Sequence, residues 1–321
     1  MKKRNPIFNV KNLFFILAMI PVVALVLITI NLIIGSIPAV KTLGPRLFSG
    51  TFILNTEPAT STARDLNYGI VPALWGTFMV VLLSMLIATP ASMAIAIFCN
   101  DFSKGFVSSA IRSVLGVLSG IPPIIYAFMG SIFFLTFFWA KFAGKGLPLE
   151  MLPPPNQLPS DASCTLLGGL MLALLIIPFM SPLLDDAMQN VPSSLKEASF
   201  SLGANRWHTL TSVTFPYALP GIAHALILGM LTALGETIIV AYTIGFVAGK
   251  LPVPLFDVLK RVAPLTSTIA GLSTGGFSGM QLIGPIGHSV ASFIGLLLLV
   301  IAFAILGLSG YLQKRLKRNI R

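Results

Sequence analysis

Charge is what this sequence has least of. Only 10% of its 321 residues are Asp, Glu, Lys or Arg, against about 25% in an average soluble domain. With 55% hydrophobic residues and a mean hydropathy of +0.90, that deficit excludes an ordinary soluble enzyme and a disordered chain. Cysteine is nearly missing. Cys99 and Cys164 form no C-x-x-C pair, so the sequence makes no case for a redox or zinc site. The three histidines, His208, His224 and His288, carry no H-E-x-x-H pattern and read as structural or interfacial. No nucleophile–base pair or ligand set recommends a membrane-embedded enzyme. The phosphate-cradling G-x-x-x-x-G-K-[ST] loop is absent as well, and no internal repeat appears at a solenoid period.

What is present is long apolar runs. A bilayer core about 30 Å thick takes roughly 20 apolar residues in a helix. Six stretches meet that length: Leu13–Gly35, Ile70–Phe98, Phe106–Trp139, Thr165–Met188, Ala218–Val247 and Ser289–Leu312. The chain therefore reads as all-α, a polytopic membrane protein with six transmembrane helices. The first run is too long for the h-region of a signal peptide, so it reads as a retained anchor. The formal charge of +11 would suggest nucleic acid in a soluble protein. Here the basic residues flank apolar runs, so membrane lipid is the expected partner and nucleic acid is not. With the N-terminus inside, 13 of the 21 Lys and Arg residues fall in inner segments and 8 in outer ones. Both termini are then expected in the cytoplasm, in a cell inner membrane.

The loops follow from that orientation. Residues 1–69 give an anchor helix and an external loop whose part from Thr51 to Asp65 looks unstructured. Residues 70–312 form the membrane core, and 313–321 a basic cytoplasmic tail. Pro153-Pro154-Pro155 predicts a stiff outer segment. Gly271, Gly275, Gly276, Gly279, Gly284 and Gly287 predict a tight re-entrant or surface loop before the last span.

One inner loop, 185–216, is long enough to need a function. Pro192 blocks helix upstream. Ser194-Leu195-Lys196-Glu197 has the form of a capping box, with serine at the N-cap and glutamate three residues on. The helix runs through Ala198, Ser199, Phe200 and Leu202, and Gly203 can end it in the left-handed conformation. A second helix is expected from near Asn205 to just before Pro216. Leu195, Phe200 and Leu202 leave apolar surface outside the bilayer. It suits either a groove on another protein or the lipid headgroups.

Glu197-Ala198-Ser199, three residues, Gly203, nine residues, Val213, one residue and Phe215-Pro216 resemble the EAA loop of bacterial ABC importer permeases. Serine, valine and phenylalanine replace alanine, isoleucine and leucine at intact spacing. Tyr68-Gly69-Ile70-Val71-Pro72-Ala73-Leu74-Trp75-Gly76-Thr77 is similar to the start of the permease core in phosphate (Pst-type) importers. So are Gly120-Ile121-Pro122-Pro123-Ile124-Ile125-Tyr126, Leu202-Gly203-Ala204-Asn205-Arg206-Trp207, Gly235-Glu236-Thr237 and Leu265-Thr266-Ser267-Thr268-Ile269-Ala270. Ile238-Ile239-Val240 and the long first outer loop bring it nearer the C-type than the A-type subunit. The resemblance implies a type I ABC importer permease fold. It implies that Glu197, Ala198, Ser199 and Gly203 dock on a separate ATPase (PstB-like), which binds ATP and Mg. This chain would hold no cofactor and hydrolyse nothing. A second permease (PstA-like) and an external phosphate-binding protein (PstS-like) complete the expected assembly.

Glu236 is the one acid expected in mid-span, where an ionisable group usually faces a partner or a water-filled path. On a continuous helix, Ala225, Gly229, Thr232, Ala233, Glu236, Val240 and Thr243 share a small or polar stripe. Thr232, Gly235, Glu236 and Thr237 are thus the candidate pathway residues, although a glutamate that merely ties two helices fits as well. Beside an anion, Glu236 either is protonated or pairs with an arginine. The family has an arginine four residues earlier, where this chain has Thr232. No Lys or Arg is expected in a span interior, so a fixed cation would come from the partner permease. The alternatives are a permease for another oxyanion and a stand-alone proton-coupled secondary transporter, which leaves the loop motif unexplained.

Overall fold

In lipid a spanning segment must satisfy its backbone groups internally, which apolar sequence does as helix. In a computed structural model of the protein the described residues are 10–53, 67–103, 105–134, 164–246, 249–274 and 285–320. Among them are five helices long and apolar enough to cross a membrane, or six if one bent pair is a single span. The chain is a polytopic all-α protein, as its composition requires.

Helix α1 (Val10–Leu43) outruns the expected Leu13–Gly35, continuing through Pro38. Its apolar side chains, Phe14, Phe15 and Leu27 among them, are exposed. It packs on the last helix, α11 (Pro285–Ile320), where Gly35 abuts Ser292 and Leu32 abuts Gly295. Small residues let the two backbones approach, and the crossed order of those contacts makes the pair antiparallel.

After α1, a 3-10 turn (Gly44–Phe48) leads into strand β1 (Thr51–Ile53). It pairs antiparallel with β2 (Asn67–Tyr68) and β3 (Gly249–Lys250), in the order β2-β1-β3. The start of the loop expected to be unstructured is therefore a strand, held by nearby β2 on one side and by distant β3 on the other. Its remainder, 54–66, and the Pro153-Pro154-Pro155 segment lie outside the described residues.

The core is built on α2 (Val71–Ile97) and α5 (Thr165–Gln189). Gly76, Val80, Ser84, Ala88, Ser92 and Ala96 recur every four residues along one buried face of α2. Leu83 of α2 closes on Gly169 of α5, and Leu172, Ile176, Met180 and Leu184 fill the interior from the α5 side. A π turn (Phe98–Phe102) ends α2.

The expected third span is broken. Helix α3 (Phe106–Ser119) and the short α4 (Pro123–Phe128) meet at 88°. Pro122 is extended (φ −57°, ψ 138°); a residue before proline is driven out of helical conformation, and Pro123 then starts the next helix. Residues 135–139 of that expected span are not described. The glycine-rich tract resolves in part: Gly271 lies in helix α10 (Leu265–Thr274) and Gly287 in α11, while 275–284 lie outside the described residues. The N–H of Leu265 at the start of α10 donates to Thr77 Oγ1 at 2.9 Å, anchoring it on α2. Gly76 is required there, because a Cβ would lie 2.6 Å from the Val262 carbonyl oxygen.

Candidate functional site

The hairpin between α5 and the fifth span forms from local signals. Pro192 is extended, and α6 (Ser193–Ser201) begins at the next residue. The expected capping box does not form: the N-cap is Pro192 with no side-chain cap hydrogen bond, and Glu197 is exposed. A start one residue before Ser194 takes the serine out of N-cap register. The other end forms as its glycine predicts. Gly203 sits at φ +83°, its N–H bonds the Phe200 carbonyl at 2.9 Å, and the Ala204 N–H bonds the Ser199 carbonyl at 3.2 Å. This is the Schellman arrangement. Asn205 then caps α7 (Arg206–Thr209) by accepting the His208 N–H at 2.7 Å.

The second helix does not stop before Pro216. From Thr209 the chain passes through a π turn (Leu210–Thr214) into α8 (Phe215–Gly235), so Arg206–Gly235 is one continuous span. Pro216 lies just after the π turn, which breaks the regular i to i−4 ladder at that point. The hairpin is thereby the end of a membrane helix. Ser199 and Thr209 hydroxyls, 2.9 Å apart, close its two arms. Glu197, Ala198, Ser199 and Gly203 fall together on it, the first two and Gly203 exposed and Ser199 half-buried. Beside them Leu202 is 90% and Trp207 62% exposed, an apolar surface that suits either a groove on another protein or the lipid headgroups. Trp207 was not among the apolar residues expected there, although it lies within the family-like segment.

At the far end of α8 the expected mid-span glutamate sits in a break, not in a helix. Gly235 ends α8, Glu236 is extended (φ −71°, ψ 125°), and a separate short helix, α9 (Ile238–Thr243), follows. Glu236 Oε1 accepts the Ile238 N–H at 3.1 Å, and its carbonyl accepts Thr266 Oγ1 of α10 at 2.9 Å. Thr237 Oγ1 reaches the Gly235 carbonyl at 3.4 Å. Among the described residues no cation lies within ion-pair distance of the Glu236 carboxylate.

The helical stripe drawn through Glu236 holds only to Ala233. Ala225, Gly229 and Ala233 are buried, with Gly229 facing Met180 of α5, so this part of it packs helices together. Thr232 is half-buried and donates to the Leu228 carbonyl at 3.0 Å. Gly235, Glu236 and Thr237 are brought together at the break, with Gly235 exposed and open space beside it. Thr232 lies one turn below.

One ion pair joins two helices near the hairpin end. Arg112 is in the middle of α3, and Asp185 is a buried residue of α5. They form a bidentate pair, with Arg112 Nε 2.7 Å from Oδ2 and Nη2 3.3 Å from Oδ1. No sequence signal joined two residues 73 positions apart. Arg112 recurs with Ser108 and Leu115 at helical spacing on the α3 face that is buried, a pattern readable in hindsight.

Among the described residues no three His, Cys, Asp or Glu side chains gather as a metal site. Cys99 is buried and Cys164 half-buried, and both are free. Burial pushes the Cys164 thiol, just outside α5, above its ordinary range, which suppresses the thiolate. His224 Nδ1 lies 2.6 Å from Gln313 Nε2 of α11, a tie between helices.

Comparison with known proteins bears on this arrangement. The family model described as "Binding-protein-dependent transport system inner membrane component" matches residues 88–318. The chain is 32% identical over 300 residues to the "probable ABC transporter permease protein YqgH" of Bacillus subtilis, covering 94% of this chain and 88% of that one. It is 29% identical over 308 residues to the phosphate transport system permease protein PstC of Haemophilus influenzae, covering 94% and 91%. Among solved structures, a chain of a bacterial alginate ABC transporter in complex with an alginate-loaded periplasmic protein superposes with a TM-score of 0.60. The identity is 16%, over 94% of both chains.

Proposed function

Because this chain belongs to the family of inner membrane components of binding-protein-dependent transport systems, we propose that it is the C-type permease of an ATP-driven phosphate importer. In this reading a PstB-like ATPase holds ATP and Mg and docks on Glu197, Ala198, Ser199 and Gly203. A PstA-like permease supplies the other half of the pathway, and an external PstS-like protein delivers phosphate. Both termini lie in the cytoplasm. The division into an anchor and external loop over 1–69, a transport core over 70–312 and a tail over 313–321 goes with it.

The observation that carries the reading is the continuity from hairpin to break. Force on an exposed hairpin passes directly into a 30-residue helical span, about 45 Å of helix at 1.5 Å per residue. That helix ends at Gly235, where an extended residue separates it from α9. A hinge placed there lets the helix move while α9 stays packed against α4 and α5, where Ile239, Val240 and Thr243 are buried. Glu236 would line the pathway at that hinge. Phosphate is supported by relatives named as phosphate permeases. A second oxyanion is the other reading, favoured by Thr232 in the place of the family's arginine.

Reconstitution with the ATPase, the second permease and the binding protein tests the proposal. Phosphate-loaded binding protein should raise ATP turnover and drive uptake of labelled phosphate. Stimulation by a different oxyanion, with none by phosphate, would overturn the substrate. Failure of any ATPase subunit to bind the hairpin would overturn the mechanism.

A further inference from the structure

At the hairpin end of the bundle, four elements are joined by side chains that docking alone does not require. The Arg112–Asp185 pair ties α3 to α5. Asp185 also accepts Gln189 Nε2 at 2.8 Å, and Arg112 Nη2 donates to the Cys99 carbonyl at 3.3 Å. Asn100, in the turn that ends α2, presents Nδ2 at 3.5 Å to both the carbonyl and Oδ1 of Asp185. Its Oδ1 accepts Lys196 Nζ of the hairpin helix α6 at 3.0 Å. Lys196 pairs with Asp101 as well, at 3.3 Å, and Arg206 reaches the Asp101 carbonyl at 3.4 Å. The hairpin is thus strapped to α2, and through Asn100 to the ion pair.

A cavity of about 420 Å³ opens beside the Arg112–Asp185 pair, bounded by Ile95, Leu115, Gly116, Pro182 and Asp186. Of the α3 side chains only Ser108 and Leu115 are buried. With so little apolar contact, the bidentate pair is the specific attachment of α3 to α5, and such pairs fix geometry as well as attraction.

We propose that Lys196, Asn100, Asp185 and Arg112 form a polar linkage through which displacement of the hairpin moves α3, the first arm of the pair bent by 88°, in concert with α8. This rests on the hairpin being the ATPase docking site, and it names positioning residues that the docking motif does not contain. One helix pushed through α8 alone would open a hinge at Glu236. A second helix drawn along by the linkage would reshape the pathway on both sides of the 88° bend.

The test is the full transporter in proteoliposomes. Lys196→Met, a change outside the Arg112–Asp185 pair, and Arg112→Met should each leave the ATPase subunit co-purifying. Each should lower stimulation of ATP turnover by loaded binding protein at least five-fold, along with substrate imported per ATP. The double variant should lose no more than the worse single one, because both cut the same path. Arg112→Lys should recover part of the stimulation. Full stimulation in Lys196→Met, or losses that multiply in the double variant, would overturn the linkage. Lys196→Met decides the matter if Arg112→Met does not assemble. Absence of ATPase binding or stimulation in the unaltered complex would instead overturn the proposed function, and the linkage with it.

Discussion

At the scale of single residues, Glu236 does two separable things. Its carboxyl group accepts a backbone N–H at the start of α9, and it places an ionisable group at the break in the fifth span. Glutamine keeps an oxygen for the first task and removes the second. Glu236→Gln should therefore fold and assemble with stability unchanged within about 0.5 kcal/mol, the range of a substitution that removes no packing. Substrate uptake should change several-fold in the same preparation. Thermal unfolding of the purified complex and initial uptake rates in vesicles check the two halves, and unaltered uptake would remove the ionisable group from the mechanism. Substitution by alanine would also strip the hydrogen bond from Ile238 and could not separate them. Thr232, by contrast, spends its hydroxyl on its own helix, so its candidacy as a pathway residue rests on position alone.

At the scale of elements, the proposed coupling requires the two arms of the hairpin to hold a fixed angle, and Gly203 sits at their turn with φ +83°. A β-branched residue resists this conformation by about 1–2 kcal/mol, whereas asparagine visits it readily. Gly203→Val should uncouple ATP hydrolysis from uptake, and Gly203→Asn should transport nearly normally. Measuring ATP consumed per substrate imported in both variants checks this, and equal coupling in the two would deny the turn a mechanical role. The hairpin was readable in the sequence because its punctuation is local: Pro192, Gly203 and Asn205 each act within a few residues. Even there, the start slipped by two residues, from Ser194 to Pro192 as N-cap, and voided the capping box. The break at Glu236 was not readable, since the apolar run continues from Ala218 to Val247. What pins the extended residue is Thr266, thirty positions away on α10. The same holds for Arg112 and Asp185, each unremarkable alone near the end of an apolar run. The bend at Pro122-Pro123 had a visible cause, but apolar length around it read as one long span.

At the scale of the molecule, chain direction fixes which ends lie together. Helix α2 runs from the β-sheet to the hairpin, because Tyr68 pairs in the sheet and Asp101 meets Lys196. Helix α1 ends beside the sheet, so its start lies at the hairpin end, and antiparallel α11 finishes there too. Lys314 and Arg315 are therefore gathered with Arg112, Lys196 and Arg206 at one face. The loop carrying Phe256 belongs to the opposite face, where Trp75 at the start of α2 donates to the Leu255 carbonyl at 2.8 Å. Positive charge near span ends is retained on the cytoplasmic side, so the hairpin face should be the inner one. In a chain with Cys99 and Cys164 replaced by alanine, a cysteine appended after Arg321 should react with a membrane-impermeant maleimide only in inside-out vesicles. Phe256→Cys in the same background should react only in right-side-out vesicles. The reverse pattern would place the hairpin outside, beyond the reach of any ATPase fuelled from the cytosol, and would end the importer mechanism whatever the substrate.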